Sequence, residues 1–164
     1  MRKVGDAILS GLLGCFVGVT YFLIEVAWKT AQGHTEGISW TMLVLALLLG
    51  LVMERMGAEL PWACPIWAQA ILCGAAITMA EFAAGCVVNL WLGWAVWDYS
   101  RLPGNLLGQI CPQFAALWCI VSGPVIVGLD WMRYLVRGGE RPHYTWKINA
   151  RRSGYIRKEN DYEQ

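Results

Sequence analysis

Four long apolar runs limit what this chain can fold into. A helix rises about 1.5 Å per residue, so about 20 apolar residues span the roughly 30 Å hydrocarbon layer of a bilayer. Only 15% of the 164 residues are charged and 57% are hydrophobic, which is unlike most soluble domains. The sequence therefore predicts an all-α integral membrane protein, a four-transmembrane-helix bundle within residues 1–136. Its helices are expected at about residues 7–28, 38–56, 65–94 and 112–136.

The positions of the basic residues predict the orientation of this bundle. Lys and Arg near the ends of membrane spans are retained on the cytoplasmic side. With four spans and both termini in the cytoplasm, only Lys29 and Arg101 lie outside, and residues 137–164 form a basic cytoplasmic tail. The other eleven of the thirteen basic residues then share the inner side: Arg2, Lys3, Arg55 and eight between residues 133 and 158.

The sequence disfavours a cleaved signal peptide, a metal site, a phosphate-binding loop and a serine nucleophile. A cleaved signal peptide fits the first run poorly, because its apolar part is long and contains Glu25. The six cysteines show no C-x-x-C or Cys/His metal spacing, so we expect them to be small packing residues. Neither a phosphate-binding loop nor a serine nucleophile motif is present. We therefore expect no metal, no cofactor, no nucleic-acid partner and no enzyme.

Small and polar residues form a stripe on the third run. They recur at three- and four-residue steps, which places them on one helix face, turned away from lipid. The first run has a similar pattern, and its Gly14 and Gly18 form a G-x-x-x-G that lets another helix approach closely. We predict helix packing at Gly14, Gly18, Gly74 and Gly85. The stripe itself comprises Gly74, Thr78, Glu81, Gly85, Asn89 and Gly93.

Glu81 is the strongest single candidate for function. An ionisable side chain at mid-membrane costs about 2.5–3.5 kcal/mol on insertion scales. Because we expect no Lys or Arg inside a span to neutralise it, Glu81 should be protonated, hydrogen-bonded, or in contact with water or a cationic ligand. A purely structural alternative is one interhelical hydrogen bond from protonated Glu81, with Glu25 at the membrane surface. The predicted substrate path passes Tyr21, Glu25, Thr78, Glu81 and Asn89.

The segment between the third and fourth runs, residues 93–111, is unusually rich in polar and turn-forming residues. Its tryptophans are typical of an aromatic belt at the membrane surface, and an ordinary surface loop is one interpretation. The alternative that we favour is an ordered cap over the outer end. In this cap, Asp98 accepts hydrogen bonds from backbone N–H groups of the following turn at a poorly hydrated site. Asn105 forms a hydrogen bond with the start of the fourth helix. The predicted cap residues are Trp97, Asp98, Tyr99, Ser100, Pro103, Asn105 and Gly108.

The same region carries a family resemblance. The stretch NLWLGWAVWDYSRLPGNLLGQICPQFAALW resembles the signature region of the CmpB-type family of small bacterial membrane proteins, described as type IV ABC-transporter permeases. The stretches YFLIEVAW and ITMAEFAAGCVVN resemble its two glutamate-bearing spans, and DWMRYLVRGGERPHYTW resembles the end of its shorter members. The likeness covers about residues 18–146. It implies a multi-pass protein of the bacterial cell membrane.

Two classes of function follow from these observations. The first is a permease-like transport component in the lipid bilayer, with a path along the glutamates and an outer gate at residues 97–105. Because four spans are few for a complete path, it requires a homodimer or larger assembly, for which Gly14 and Gly18 offer one contact, and any ATPase is a separate subunit. The alternative is a non-transporting scaffold, sensor or accessory protein, whose basic tail binds anionic lipid or a partner. A membrane enzyme using Asp98 and Tyr99 near Glu81 is a weak third class.

The predicted orientation can be tested by labelling single cysteines from outside the cell, on a background without the native cysteines. We expect Gln32→Cys and Arg101→Cys to be labelled, because both lie in the predicted outer loops. Ser153→Cys should stay unlabelled until the membrane is opened. Labelling of Ser153→Cys in intact cells would contradict the four-span topology.

Overall fold

A computed structural model describes residues 2–33, 38 and 40–147, with side chains from residue 5 onward. Its described part holds four long helices and no β-strand, and each helix is long and apolar enough to cross a membrane. The prediction of an all-α, four-helix membrane protein is therefore confirmed. The helices are α1 (Arg2–Ala31), α2 (Trp40–Glu59), α3 (Ile66–Gly85), which continues as a π-helix (Cys86–Trp91), and α4 (Pro112–Arg137).

Successive helices run in opposite directions, so the bundle has two distinct ends. We call the end with the start of α1, the α2–α3 connection and the end of α4 the tail end. The opposite end, with residues 92–111 between α3 and α4, is the cap end. Gln32 and Arg101 are exposed at the cap end, and Ser153 lies outside the described residues. The cytoplasmic placement of the tail end stays a prediction.

The outer surface of the bundle is apolar, as a lipid-facing surface must be. Large hydrophobic side chains are exposed along every helix, including Leu12, Trp40, Ile71 and Ile120. An apolar surface of this extent would be unfavourable in water. The buried core is comparatively small, and its main cluster consists of Leu49, Met53, Ile66, Cys73, Ile77, Trp118 and Ile126.

Glycines allow the helices to approach closely in two pairs. A Cβ atom on Gly50 of α2 would collide with the backbone of Gly14 and Gly18 on α1, so the two helices cross with their backbones in contact. On α3, a Cβ atom on Gly74 would lie 2.6 Å from the backbone nitrogen of Cys119 on α4. The predicted G-x-x-x-G face of α1 is thus filled by α2 of the same chain. It is not free to form the contact between two copies that the sequence suggested.

A buried ion-pair network joins α2 and α4 near the tail end. Arg133 Nη2 donates to Glu54 Oε1 at 2.5 Å and Nη1 to Asp130 Oδ1 at 3.1 Å. All three side chains are at most 3% exposed. The hydroxyl of Ser10 on α1 donates to Glu54 Oε1 at 3.0 Å, which adds a third helix to the network.

The network corrects one expectation from the sequence. The predicted fourth helix, residues 112–136, contains Arg133, but this residue was counted with the basic residues of the cytoplasmic flank, and no Lys or Arg was expected to neutralise a charge inside a span. The structure buries Arg133 within α4. The physical reason is that α2 and α4 run in the same direction, which brings Glu54 beside Asp130 and leaves two carboxylates that a guanidinium can pair. Glu54 and Asp130 were not among the predicted site residues.

The chain after α4 does not leave the bundle at once. The Tyr144 hydroxyl donates to Asp130 Oδ2 at 3.2 Å, and the carbonyl of Thr145 accepts the backbone N–H of Ile66 at 3.1 Å. The His143 ring stacks on Trp62, with 4.9 Å between ring centroids. The predicted basic tail, residues 137–164, therefore begins with a segment packed across the tail end, and residues 148–164 lie outside the described residues.

Replacing Arg133 with methionine should strongly destabilise the bundle. The substitution leaves the carboxylates of Glu54 and Asp130 buried without a counter-charge, which typically costs about 3–5 kcal/mol. The matched control is Arg55→Met, because Arg55 pairs with Glu59 at the surface with its side chain 59% exposed, and such pairs contribute about 0–1 kcal/mol. Thermal unfolding in detergent compares the two. Equal melting temperatures for both variants would contradict the structural role of the network.

Candidate functional site

Glu81 joins three parts of the chain at the cap end. It lies on the inward face of α3 and is only 7% exposed. Its Oε1 accepts a hydrogen bond from the Tyr99 hydroxyl at 3.1 Å, and its Oε2 accepts one from Trp118 Nε1 at 3.0 Å. Both partners are neutral donors, and Trp118 Nε1 can only donate. Within the described part of the chain, no Lys, Arg or His forms an ion pair with Glu81.

Glu81 and Glu25 face the same cleft beneath the cap. Glu25 on α1 lies 3.6 Å from Lys29 Nζ, and Lys29 Nζ lies 3.3 Å from the sulfur of Met42 on α2. The cleft has a volume of about 50 Å³, which is room for a few water molecules. Aromatic rings form a large part of its wall: those of Tyr21, Trp97, Tyr99 and Trp118.

Three of the five predicted path residues line this cleft, and two do not. Tyr21, Glu25 and Glu81 line it. Thr78 lies one turn before Glu81, and its hydroxyl is bonded to the carbonyl of Gly74 on its own helix at 2.8 Å. Asn89 lies in the π-helix and points to the cap. A shared helix face was therefore insufficient to predict a shared cavity, because Asn89 bonds into the cap, whereas Thr78 lies farther from the cap and bonds to its own helix.

Asn89 ends the third span and attaches it to the cap. Its Nδ2 donates to Gln109 Oε1 and its Oδ1 accepts the backbone N–H of Val96, both at 2.8 Å. The π-helix Cys86–Trp91 surrounds Asn89, and wide turns of this kind are frequent at functional sites. The predicted span to about residue 94 therefore stops at Trp91.

Gln109 is the central residue of this junction and was not a predicted site residue. It is 3% exposed, and its backbone carbonyl accepts a hydrogen bond from Trp97 Nε1 at 3.1 Å. Gly85, predicted to pack against a helix, instead contacts this residue, since a Cβ atom on Gly85 would lie 2.6 Å from Gln109 Oε1. The feature of the sequence that could have identified Gln109 was its amide side chain in an otherwise apolar stretch. Trp118, which donates a hydrogen bond to Glu81, could not be singled out from the sequence because the chain contains ten tryptophans.

Asn105 organises the cap from within. Its Nδ2 donates to the carbonyls of Ser100 and Leu102 at 3.0 and 2.7 Å, and its Oδ1 accepts the backbone N–H of Gly108 at 2.9 Å. This differs from the predicted bond into the start of the fourth helix. The link to α4 is made instead by Gln113 Nε2, which donates to the carbonyl of Pro103 at 3.3 Å.

Asp98 stabilises a local turn at the surface of the cap. It accepts the backbone N–H of Ser100 at 2.8 Å and the Ser100 hydroxyl at 2.9 Å. These bonds to the charged form lower the pKa of Asp98, so their contribution to stability is present above the ordinary pKa of 3.8 and is lost as the pH falls through the lower folded value. Asp98 is exposed, which corrects the expectation of a poorly hydrated site. Gly108 approaches it with φ of 70°, leaving no room for a side chain.

Tyr99 connects the cap to the cleft. Its backbone N–H donates to the carbonyl of Gly108 at 2.7 Å, and its ring stacks on Phe114 of α4, with 4.7 Å between centroids. Burial, and then the negative charge of Glu81, raise the pKa of Tyr99 far above its ordinary value of 10.0. Its hydroxyl therefore keeps its proton and remains a donor to Glu81 at any physiological pH. The cap thus holds a fixed neutral donor over a buried carboxylate.

We expect Asn105→Ala to destabilise the cap more than Arg101→Ala. Removal of the amide takes away the hydrogen-bond partner of the Ser100 carbonyl and of the Gly108 N–H at a half-buried position, whereas the Leu102 carbonyl still accepts the backbone N–H of residue 105; the expected cost is about 1–3 kcal/mol. Arg101 is exposed, so its truncation should be nearly neutral. Thermal unfolding in detergent measures both. Indistinguishable melting temperatures for the parent and the two variants would identify the segment as an ordinary surface loop.

Comparison with known proteins places the chain in a family. The family model ABC_trans_CmpB, described as "Putative ABC-transporter type IV", matches residues 9–138. No curated protein and no solved structure matches the chain. The match covers all four helices except the first residues of α1, together with the cap, and it confirms the resemblance seen in the sequence. The chain belongs to the ABC_trans_CmpB family.

Proposed function

We propose that this protein is a permease-like transport component of a bacterial cell membrane, with a path that opens at the cap end and passes Glu25 and Glu81. The observation that carries the proposal is the cleft beneath the cap, where two carboxylates on different helices face one water-sized space. Family membership supports a transport component, and the four apolar helices support a multi-pass membrane protein. Buried ionisable groups in membrane proteins commonly mark ion or substrate pathways.

The chemistry of Glu81 suits a site that exchanges a proton or a cation. Its two oxygens accept one neutral hydrogen bond each, and a carboxylate can accept more. The contacts with Tyr99 and Trp118 orient the carboxylate without neutralising its charge. A proton or cation entering from the cap end would neutralise the carboxylate of Glu81, and its departure would restore the negative charge.

The cap is the proposed outer gate. Val96, Trp97 and Tyr99 form the cap side of the cleft, so movement of this segment would widen the entrance. Toward the tail end the cleft adjoins a mostly apolar groove of about 220 Å³, whose lining includes Tyr21, Leu129 and Met132 but no charged side chain, and the Arg133 network lies beyond it. One chain therefore supplies the outer part of a path, and a complete path requires an assembly. That assembly contains a homodimer or larger oligomer in the lipid bilayer and, if ATP drives it, a separate ATPase subunit.

The tail end favours a second candidate, a membrane scaffold or accessory protein. The contacts of Tyr144 and Thr145 hold the chain against the bundle just before residues 148–164, which carry four basic residues. A basic segment anchored in this way could bind anionic lipid or a partner without any transport. In this alternative Glu81 is a structural hydrogen-bond acceptor only.

Glu81→Gln separates the two candidates. The amide can keep both contacts, because its oxygen accepts from Trp118 and its NH₂ group donates to the Tyr99 oxygen, so the fold should persist while the charge is lost. The matched control is Glu140→Gln, because Glu140 is exposed after α4. Mass spectrometry of solutes inside and outside cells compares the deletion strain, the parent and both variants.

For a transport component we expect the deletion to shift at least one solute between cell and medium. Glu81→Gln should reproduce that shift, and Glu140→Gln should restore the parental distribution. A deletion strain with the parental solute distribution would contradict the proposal and support the scaffold. A fully restored distribution with Glu81→Gln would remove Glu81 from the path.

A further inference from the structure

We propose that the cleft beneath the cap binds a small organic ammonium ion, with its charge between Glu25 and Glu81 and its alkyl groups against the aromatic wall. The inference rests on the proposed function and names its class of substrate. It combines three properties of the same space: its charge, the chemistry of its wall, and its size.

The charge of the cleft favours a cation over an anion. Two carboxylates and one ammonium group line it, and Lys29 lies against Glu25. The carboxylate of Glu81 has only the neutral donors Tyr99 and Trp118 among the described residues. With all three groups ionised, one negative charge remains in the cleft, and charge interactions are strongest at its buried side, where Glu81 is 7% exposed. This negative charge would repel an anion.

The aromatic wall favours an organic cation. Tyr21, Trp97, Tyr99 and Trp118 contribute four rings, and rings of this kind bind ammonium groups through their negative faces. The rings are already held in place. Tyr21 packs on Trp118 with 5.2 Å between centroids, Tyr99 stacks on Phe114, and Trp97 is bonded to Gln109. Preorganised walls lose little conformational freedom when a ligand binds.

The remaining wall disfavours an inorganic cation. Ca²⁺ takes six to eight oxygen ligands, and Mg²⁺ requires an octahedral set of oxygens that usually includes several retained water molecules. The two carboxylates and the two tyrosine hydroxyls are the oxygen ligands that the lining side chains offer; Lys29 and the two tryptophans carry only nitrogen donors. The other lining side chains are apolar or contain sulfur: Met42, Leu45, Ala46, Leu49 and Val96. An alkylammonium ion carries less tightly bound water and gains contacts with these groups. The volume of about 50 Å³ restricts the ligand to a few non-hydrogen atoms.

Binding to the purified full-length chain tests this inference directly. The probes are methylammonium and trimethylammonium chloride, with sodium chloride at equal ionic strength and tert-butanol as an uncharged molecule of similar size. Tryptophan fluorescence reports occupancy because Trp97 and Trp118 line the cleft, and calorimetry provides a second measurement. We expect saturable binding of at least one ammonium probe and none of sodium or tert-butanol.

Two pairs of variants separate the charge from the aromatic contribution. Glu81→Gln should weaken ammonium binding at least tenfold, and Glu140→Gln should leave it within twofold of the parent. Tyr21→Leu should weaken it at least threefold, whereas Tyr21→Phe, which keeps the ring, should not. If Glu81→Gln lowers the melting temperature, Glu25→Gln replaces it, since Glu25 is partly exposed and tolerates the change more easily.

The outcomes distinguish this inference from the proposed function. Absence of saturable ammonium binding, equal binding of sodium, or equal affinities for Glu81→Gln and Glu140→Gln would overturn the ammonium site. If solute distribution still depends on Glu81 in that case, transport stands and the substrate class is wrong. If ammonium binds while deletion leaves solute distribution unchanged, the site stands and the transport function is wrong.

Discussion

The two hydrogen bonds to the carboxylate of Glu81 are the interaction on which the cap end depends. Tyr99 donates from the cap and Trp118 from α4, so one side chain on α3 connects all three parts. The hydrocarbon layer offers no water to satisfy a buried polar group, and the partners must therefore come from the protein. Once α3 carries a glutamate at this depth, the cap and α4 are constrained to present donors to it.

The tail end meets the same constraint with a different arrangement. Glu54 and Asp130 are paired with Arg133, and Ser10 and Tyr144 supply further hydrogen bonds. In this network one arginine pairs with both carboxylates, whereas the hydrogen-bond donors to Glu81 are neutral groups. The difference agrees with the proposed function, in which the paired network keeps the tail end rigid and Glu81 exchanges a proton or a cation. An apolar core separates the two ends, so each end can be altered without direct contact with the other.

Helix packing decides which side chains share a space. The crossing of Gly14 and Gly18 with Gly50 brings α1 against α2, and the crossing of Gly74 with Cys119 brings α3 against α4. These close approaches place Glu25 and Glu81 on two sides of one cleft, with the cap above it. The stripe on α3 is consequently divided among three tasks. Gly74 packs against a helix, Glu81 lines the cleft, and Asn89 attaches the cap.

The sequence alone determined the number and type of elements, because length, hydrophobicity and the three- to four-residue steps of the stripe are local properties of the chain. It also indicated the family and an ordered segment around Asn105, and it singled out Glu81, whose role in function stays a prediction. Only the tertiary structure decided which side chains form hydrogen bonds and ion pairs with one another. Tyr99 and Trp118 lie 18 and 37 residues from Glu81, and Arg133 lies 79 residues from Glu54. Such pairs depend on helix direction and crossing geometry, which no local pattern encodes. For the same reason Thr78 and Asn89 share a helix face with Glu81 but not its cleft: Asn89 bonds into the cap, and Thr78 lies one turn farther from the cap and bonds to its own helix.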